Sequence, residues 1–98
     1  SEVYGTVENS VISSNVIVEE GAVVKDSVIM SGSVIKQGAS VNYSIIDENV
    51  IVEENASIGE DKAAAKGIAV LGRNITVGKG AAVKGGDIVD KNIEGEGK

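Results

Sequence analysis

Aliphatic residues in this chain come in short triplets, not in helical stripes or long runs. Asn9 to Lys25, Asp26 to Asn42 and Tyr43 to Gly59 are three successive 17-residue copies, reading NSVISSNVIVEEGAVVK, DSVIMSGSVIKQGASVN and YSIIDENVIVEENASIG. The triplets of the first copy start at Ser10, Val16 and Ala22 and the next copy starts at Ser27, so the steps are six, six and five. A fourth copy, Ala69 to Lys84, matches Ser10 to Lys25 at a constant offset of 59, after an excursion near residues 60–68. Upstream, Gly5, Thr6 and Val7 match Ala22, Val23 and Val24. A repeat this short cannot bury its own apolar face and is stable only when stacked on its neighbours. Three strands per copy predict an all-β triangular coil of about four to five turns.

Strand alternation sends the outer two residues of a triplet one way and the middle one the other. The outer pairs combine a small residue with a large one, as in Ser10 with Ile12, Ala22 with Val24 and Ala39 with Val41, which suits the narrow interior of a prism. The first residue is larger on the second side, in Val16 with Val18 and Val50 with Val52. Sharp corners need backbone angles that Gly, and less readily Asn, adopt. Asn15, Gly32, Asn49 and Asn74 form one corner column, and Gly21, Gly38, Asn55 and Gly80 another. The third corner is one residue shorter and lacks this signature, so a different turn is expected there. The excursion leaves from that corner; its EDKAAAK core favours a helical turn by propensity, in what is otherwise a solvated loop.

The spacing of an aliphatic residue, any three residues and a small residue, as in VEEGAV (Val18 to Val23) and VKDSVI (Val24 to Ile29), resembles the hexapeptide repeat of left-handed parallel β-helices. The resemblance covers about residues 5 to 88. The wording of the coils, together with KGIAVLGRNITVGKGAAV after the excursion, is similar to the C-terminal β-helix of bacterial glucose-1-phosphate adenylyltransferases (ADP-glucose pyrophosphorylases), in particular their GlgD-like regulatory subunit. That resemblance implies a non-catalytic assembly and regulatory domain of an enzyme that makes ADP-glucose from ATP and glucose 1-phosphate for glycogen. It also implies partners in the parent's own catalytic domain and in other subunits, and an anionic effector.

The 98 residues make one domain, near the size at which a single core gives modest stability. Both ends of a coil expose unpaired edges, a liability that a cap or a neighbouring domain meets. The stretch from Gly85 onward can cap the lower end, while the upper end has little to cover it, so a domain before Ser1 is expected, as is a fragment of a larger polypeptide. A net charge of −6 argues against nucleic acid. No apolar run approaches the roughly 18 residues of a membrane span. The absence of Cys removes disulfides and thiolate chemistry and fits the cytoplasm. The N-x-[ST] matches at Asn42, Asn55 and Asn74 read as corner Asn before a required small residue.

The chain contains no His. Acyltransferases of the hexapeptide class use a His base, and β-helical carbonic anhydrases hold zinc through His, so neither chemistry is available to this chain alone. Ice-binding coils need outward Thr ladders, and only Thr6 and Thr76 exist. The stacked Ser10, Ser27 and Ser44 lack a base and face inward, which makes them small core residues and not nucleophiles. Glu19 with Glu20 and Glu53 with Glu54 flank Lys36 and Gln37, a cross-strand ladder of alternating charge. The glycines of Gly78 to Gly86 lack P-loop spacing. No catalytic residue, metal ligand or cofactor is therefore expected in this domain.

The informative positions are the outward ones. On the first side they read Val11, Val28, Ile45 and Val70, and on the second Ile17, Val34, Ile51 and Thr76. The third reads Val23, Ser40, Ser57 and Ala82. Strand propensity accounts for some β-branched residues anywhere, but continuous apolar columns on two faces fit burial against a partner. Val11, Val28, Ile45, Val70, Ile17, Val34 and Ile51 are thus the candidate interface, with Arg73, Lys79 and Lys84 as candidate contacts for an anionic sugar-phosphate effector. Two other readings stand beside this one: the β-helix domain of another hexapeptide-repeat transferase, acyl or sugar-nucleotidyl, and a structural scaffold that polymerises through its ends.

Overall fold

The computed structural model describes residues 1–61, 63 and 67–95. Among these, fifteen strands of two or three residues wind into three parallel five-stranded sheets, one on each side of a left-handed coil. The first side stacks Val11–Ile12, Val28–Ile29, Ser44–Ile46, Ala69–Leu71 and Ile88–Val89. The second stacks Glu2–Val3, Ile17–Val18, Val34–Ile35, Ile51–Val52 and Thr76–Val77. The third stacks Thr6–Glu8, Val23–Lys25, Ser40–Asn42, Ser57–Ile58 and Ala82–Val83. Register follows the sequence columns: Val11 pairs with Val28, Val28 with Ile45, and Ile45 with Val70. Parallel crossovers are right-handed where a helix connects the strands. Here one to four residues join successive strands at every corner except the one that carries the excursion, and the corners set the hand.

Inward positions form a continuous core. Val18, Ile29, Ile35, Ile46, Val52, Ile58 and Leu71 are fully buried, each large side chain contributing about 1.5–3 kcal/mol on burial. The strands are held by the rungs above and below. Outward residues donate downward, as Val11 N–H does to Ser27 O at 2.9 Å, while the next rung returns bonds upward, as Gly32 N–H does to Ser14 O at 3.3 Å.

The two predicted corner columns adopt left-handed backbone, with φ from 58° to 62° at Asn15, Asn49, Asn55 and Asn74 and from 71° to 82° at Gly21, Gly32, Gly38 and Gly80. A Cβ at Gly32 or Gly38 would also meet the side-chain Oδ1 of Asn49 or Asn55 in the next coil, which would have to swing aside.

The third corner does bend by a different, tighter turn, but it shares the left-handed backbone of the other two. Asn9, Asp26 and Tyr43 also sit in left-handed backbone, at φ 48°, 52° and 49°. Such a conformation costs a residue other than Gly about 1–2 kcal/mol, and a bulky Tyr is rare there. The inward serine that follows each of them closes the tight corner. Ser10 Oγ donates to Glu8 O, Ser27 Oγ to Lys25 O and Ser44 Oγ to Asn42 O, each at 2.7 Å.

The excursion leaves this corner after Gly59 and rejoins the first side at Ile68 and Ala69. Most of the EDKAAAK turn lies outside the described residues; within them, Asp61 Oδ1 accepts a bond from Ala63 N–H at 3.0 Å.

Candidate functional site

Alternation within each triplet decides what the coil shows to the outside. On the first side Val28, Ile45 and Val70 point outward and are half-buried by the rungs above and below, while Val11, on the top rung, is 61% exposed. On the second side Ile17, Val34 and Ile51 are likewise half-buried, bounded by Glu2 above and Thr76 below. All seven predicted columnar residues therefore lie on outer faces, four on one and three on the other.

The first-side column is longer than the offset of 17 reveals. Ile88 pairs with Val70 at an offset of 18 and is 80% exposed. Ile68, in the position equivalent to Tyr43, adds a further exposed side chain at the margin. Allowing one residue of slack per turn would have found Ile88. The third side is different in kind: its outward residues Thr6, Val23, Ser40, Ser57 and Ala82 are mostly small or hydroxylated.

The serines of the inward column do more than fill space. Ser44 N–H donates to Ser27 Oγ at 3.1 Å, and Ser27 N–H to Ser10 Oγ at 3.0 Å. The Ser10 and Ser27 hydroxyls thus each bridge their own corner and the coil below. Ser33 forms a related bridge, donating to Asp47 O at 2.7 Å and accepting from Val50 N–H at 3.1 Å. Among the described residues no buried side-chain polar atom lacks a partner, so these serines are structural and carry no unspent nucleophile.

The charge ladder forms in part. Lys36 Nζ lies 3.1 Å from Glu53 Oε1, while Glu19 Oε1 accepts a bond from the backbone N–H of Gln37 at 3.0 Å. The hydrogen bond to Glu53, followed by the charge of Glu53 itself, raises the Lys36 ammonium above its ordinary value; Glu54 and Glu19 add to this and partial desolvation opposes it. Glu19, Glu20, Gln37 and Tyr4 border an open groove of 460 Å³. Its acidic rim offers nothing for an anion, and among the described residues no group of His, Cys, Asp or Glu is arranged to hold a metal ion.

Arg73, Lys79 and Lys84 are exposed, but the structure does not bring them together. They occupy the three different corners of a single coil. By register Arg73 lies one rung below Glu48, and Lys79 one rung below Glu54. Cross-rung charge alternation accounts for both positions without a ligand.

Among the described residues no helix is long and apolar enough to cross a membrane. No curated protein matches the chain. The family model described as "GlmU-like, C-terminal hexapeptide" matches residues 3–68, from the top rung through the excursion. Triplet spacing, left-handed corners and parallel three-sided stacking agree with that match: the chain belongs to the GlmU-like C-terminal hexapeptide family.

Proposed function

We propose that this β-helix is a non-catalytic assembly and regulatory module, the tail of a cytoplasmic glucose-1-phosphate adenylyltransferase subunit of the GlgD-like regulatory kind, serving glycogen biosynthesis. The observation that carries the assembly role is the pair of outward apolar columns, Val11, Val28, Ile45 and Val70 on one face and Ile17, Val34 and Ile51 on the next. A face in contact with water gains only strand propensity from an aliphatic side chain on every rung, whereas a face packed on a partner also buries it. The partners are the parent's own catalytic domain and other subunits. The absence of His supports a role without chemistry of its own.

An anionic sugar-phosphate effector would meet Arg73, Lys79 or Lys84 singly, because the three occupy different corners. The remainder of such a site would come from a neighbouring subunit. The test of the assembly role is Val28→Glu with Ile45→Glu: two carboxylates on adjacent rungs lower the oligomeric state in sedimentation, and an unchanged mass refutes the assignment.

A second reading is favoured by the family match, whose description names a GlmU-like C-terminal segment. It makes this coil the corresponding part of a different hexapeptide-repeat transferase, with sugar-nucleotidyl or acyl specificity. The two readings share the assembly faces and differ in the catalytic domain attached. The reading frame surrounding the coil separates them, through the nucleotide-binding motif it encodes.

A further inference from the structure

Asn9, Asp26 and Tyr43 stand one above another at the third corner, all in left-handed backbone. Their spacing is fixed by bonds between coils, Asp26 N–H to Glu8 O at 3.0 Å and Tyr43 N–H to Lys25 O at 2.9 Å. Together with Val11, Ser27 and Val28 they line an open groove of about 350 Å³. We propose that this groove binds a neutral oligosaccharide lying along the coil axis, with about one sugar ring for each ~4.8 Å rung. The proposal goes beyond the assembly role and leaves the second-side column untouched.

The lining selects the ligand. An amide, a carboxylate and a phenol supply donors and acceptors for hydroxyl groups, one polar side chain per rung. Val11 and Val28 form an apolar wall for the C–H faces of the sugar rings, and the phenol combines an apolar body with a polar tip. No Lys or Arg lines the groove, which leaves a phosphate without a counter-charge, and its single carboxylate makes no metal site.

Tyr43 gives an independent argument. Asn and Asp enter left-handed backbone readily, whereas a bulky ring there is an outlier. The turn closes in the same way in all three coils, through the hydroxyl of Ser10, Ser27 or Ser44, so Asn or Asp would serve the turn equally well in place of Tyr43. Backbone strain of this kind gathers at ligand clamps, and Tyr43 borders the groove.

The test is a titration of the isotope-labelled chain with maltotriose and with cellotriose, followed by NMR. At least one of the two sugars is expected to give saturable shifts at the amides of Asn9, Asp26 and Tyr43, with an affinity on the order of 1 mM. Tyr43→Asn keeps a residue suited to left-handed backbone, so its unfolding midpoint is expected to hold or rise while binding weakens about tenfold. Asp26→Asn, which keeps the shape and loses the charged acceptor, is expected to weaken binding several-fold with its midpoint unchanged. Inorganic phosphate is expected to leave the groove amides unshifted. The absence of saturable shifts with both sugars overturns the proposal, as does equal perturbation of the second-corner amides of Glu20 and Glu54, or tighter binding of phosphate. Unchanged sugar affinity in both Tyr43→Asn and Asp26→Asn overturns it as well.

Discussion

The two ends of the coil are finished differently. At the base, the chain winds on for one more parallel bridge beneath the second side, Ile93 under Val77: Ile93 N–H bonds to Thr76 O at 3.0 Å, Gly78 N–H to Ile93 O at 2.7 Å, and Thr76 N–H to Asn92 Oδ1 at 2.8 Å. Val77, directly above this tail, is fully buried. The inward column Ser10, Ser27, Ser44 and Ala69 ends on Asp87, whose Oδ2 accepts a bond from Lys84 N–H at 3.3 Å. A charge at an inward position stops further stacking. At the top, Val3 occupies the position equivalent to buried Val18 yet is 46% exposed, and Val7 and Ile12 are only partly covered. The repeat is the same at both ends. The difference shows that a solenoid gains its closure from segments outside the repeat, as the base does here.

That contrast can be broken in several ways. The largest effect is expected in the middle. Ile46→Ala, fully buried, should cost about 2–5 kcal/mol in urea unfolding, and Ile12→Ala on the top rung less than half as much. Equal losses would show that the top is covered in solution.

Ser27→Ala removes the acceptor of Ser44 N–H and the donor to Lys25 O, an expected loss of about 1–3 kcal/mol. Ser10→Ala, where water reaches the site, should lose less in the same measurement, and the reverse order would refute the ladder.

Truncation after Asp90 should make the base resemble the top. The half-buried Ile93 and its bonds are worth about 1–2 kcal/mol, and the amides of Thr76 and Gly78 should become fast in hydrogen exchange. Slow exchange after truncation would mean that the tail is not the cap.

The smallest effect concerns the side wall. Lys36 has a raised folded-state pKa, so the folded chain holds that proton more tightly than the unfolded one. The stabilisation is complete below 10.5 and disappears as pH rises through the folded value. An exposed pair of this kind is worth less than about 1 kcal/mol. Lys36→Met should flatten the stability profile where pH rises above 10.5 and leave both ends of the coil unaffected.

Much of the fold was legible because the repeat is templated by its nearest neighbours. Columns such as Val11, Val28 and Ile45 follow from period-two alternation alone, and eight Gly or Asn corners follow from φ. The left-handed residues of the third corner were not legible because they are Asn9, Asp26 and Tyr43, and Tyr43 has no propensity for that region. A positional rule finds them: the left-handed residue directly precedes an inward one at all three corners. The serine column was read as merely small because its hydroxyl ladder exists only once residues 17 apart are stacked. Arg73, Lys79 and Lys84 stood close together in the sequence and apart in space, since five or six residues are one side of the triangle.

The sequence by itself determined the period, the three sides and which residues of each triplet face out, because these depend on local alternation and on stacking identical units. Only the tertiary structure decided how the ends are finished, that hydroxyls close the shortest corner, and which charges share a neighbourhood. Those outcomes depend on where a non-repeating tail runs and on bonds between coils, and a repeat carries no instruction for the place where its neighbour is missing.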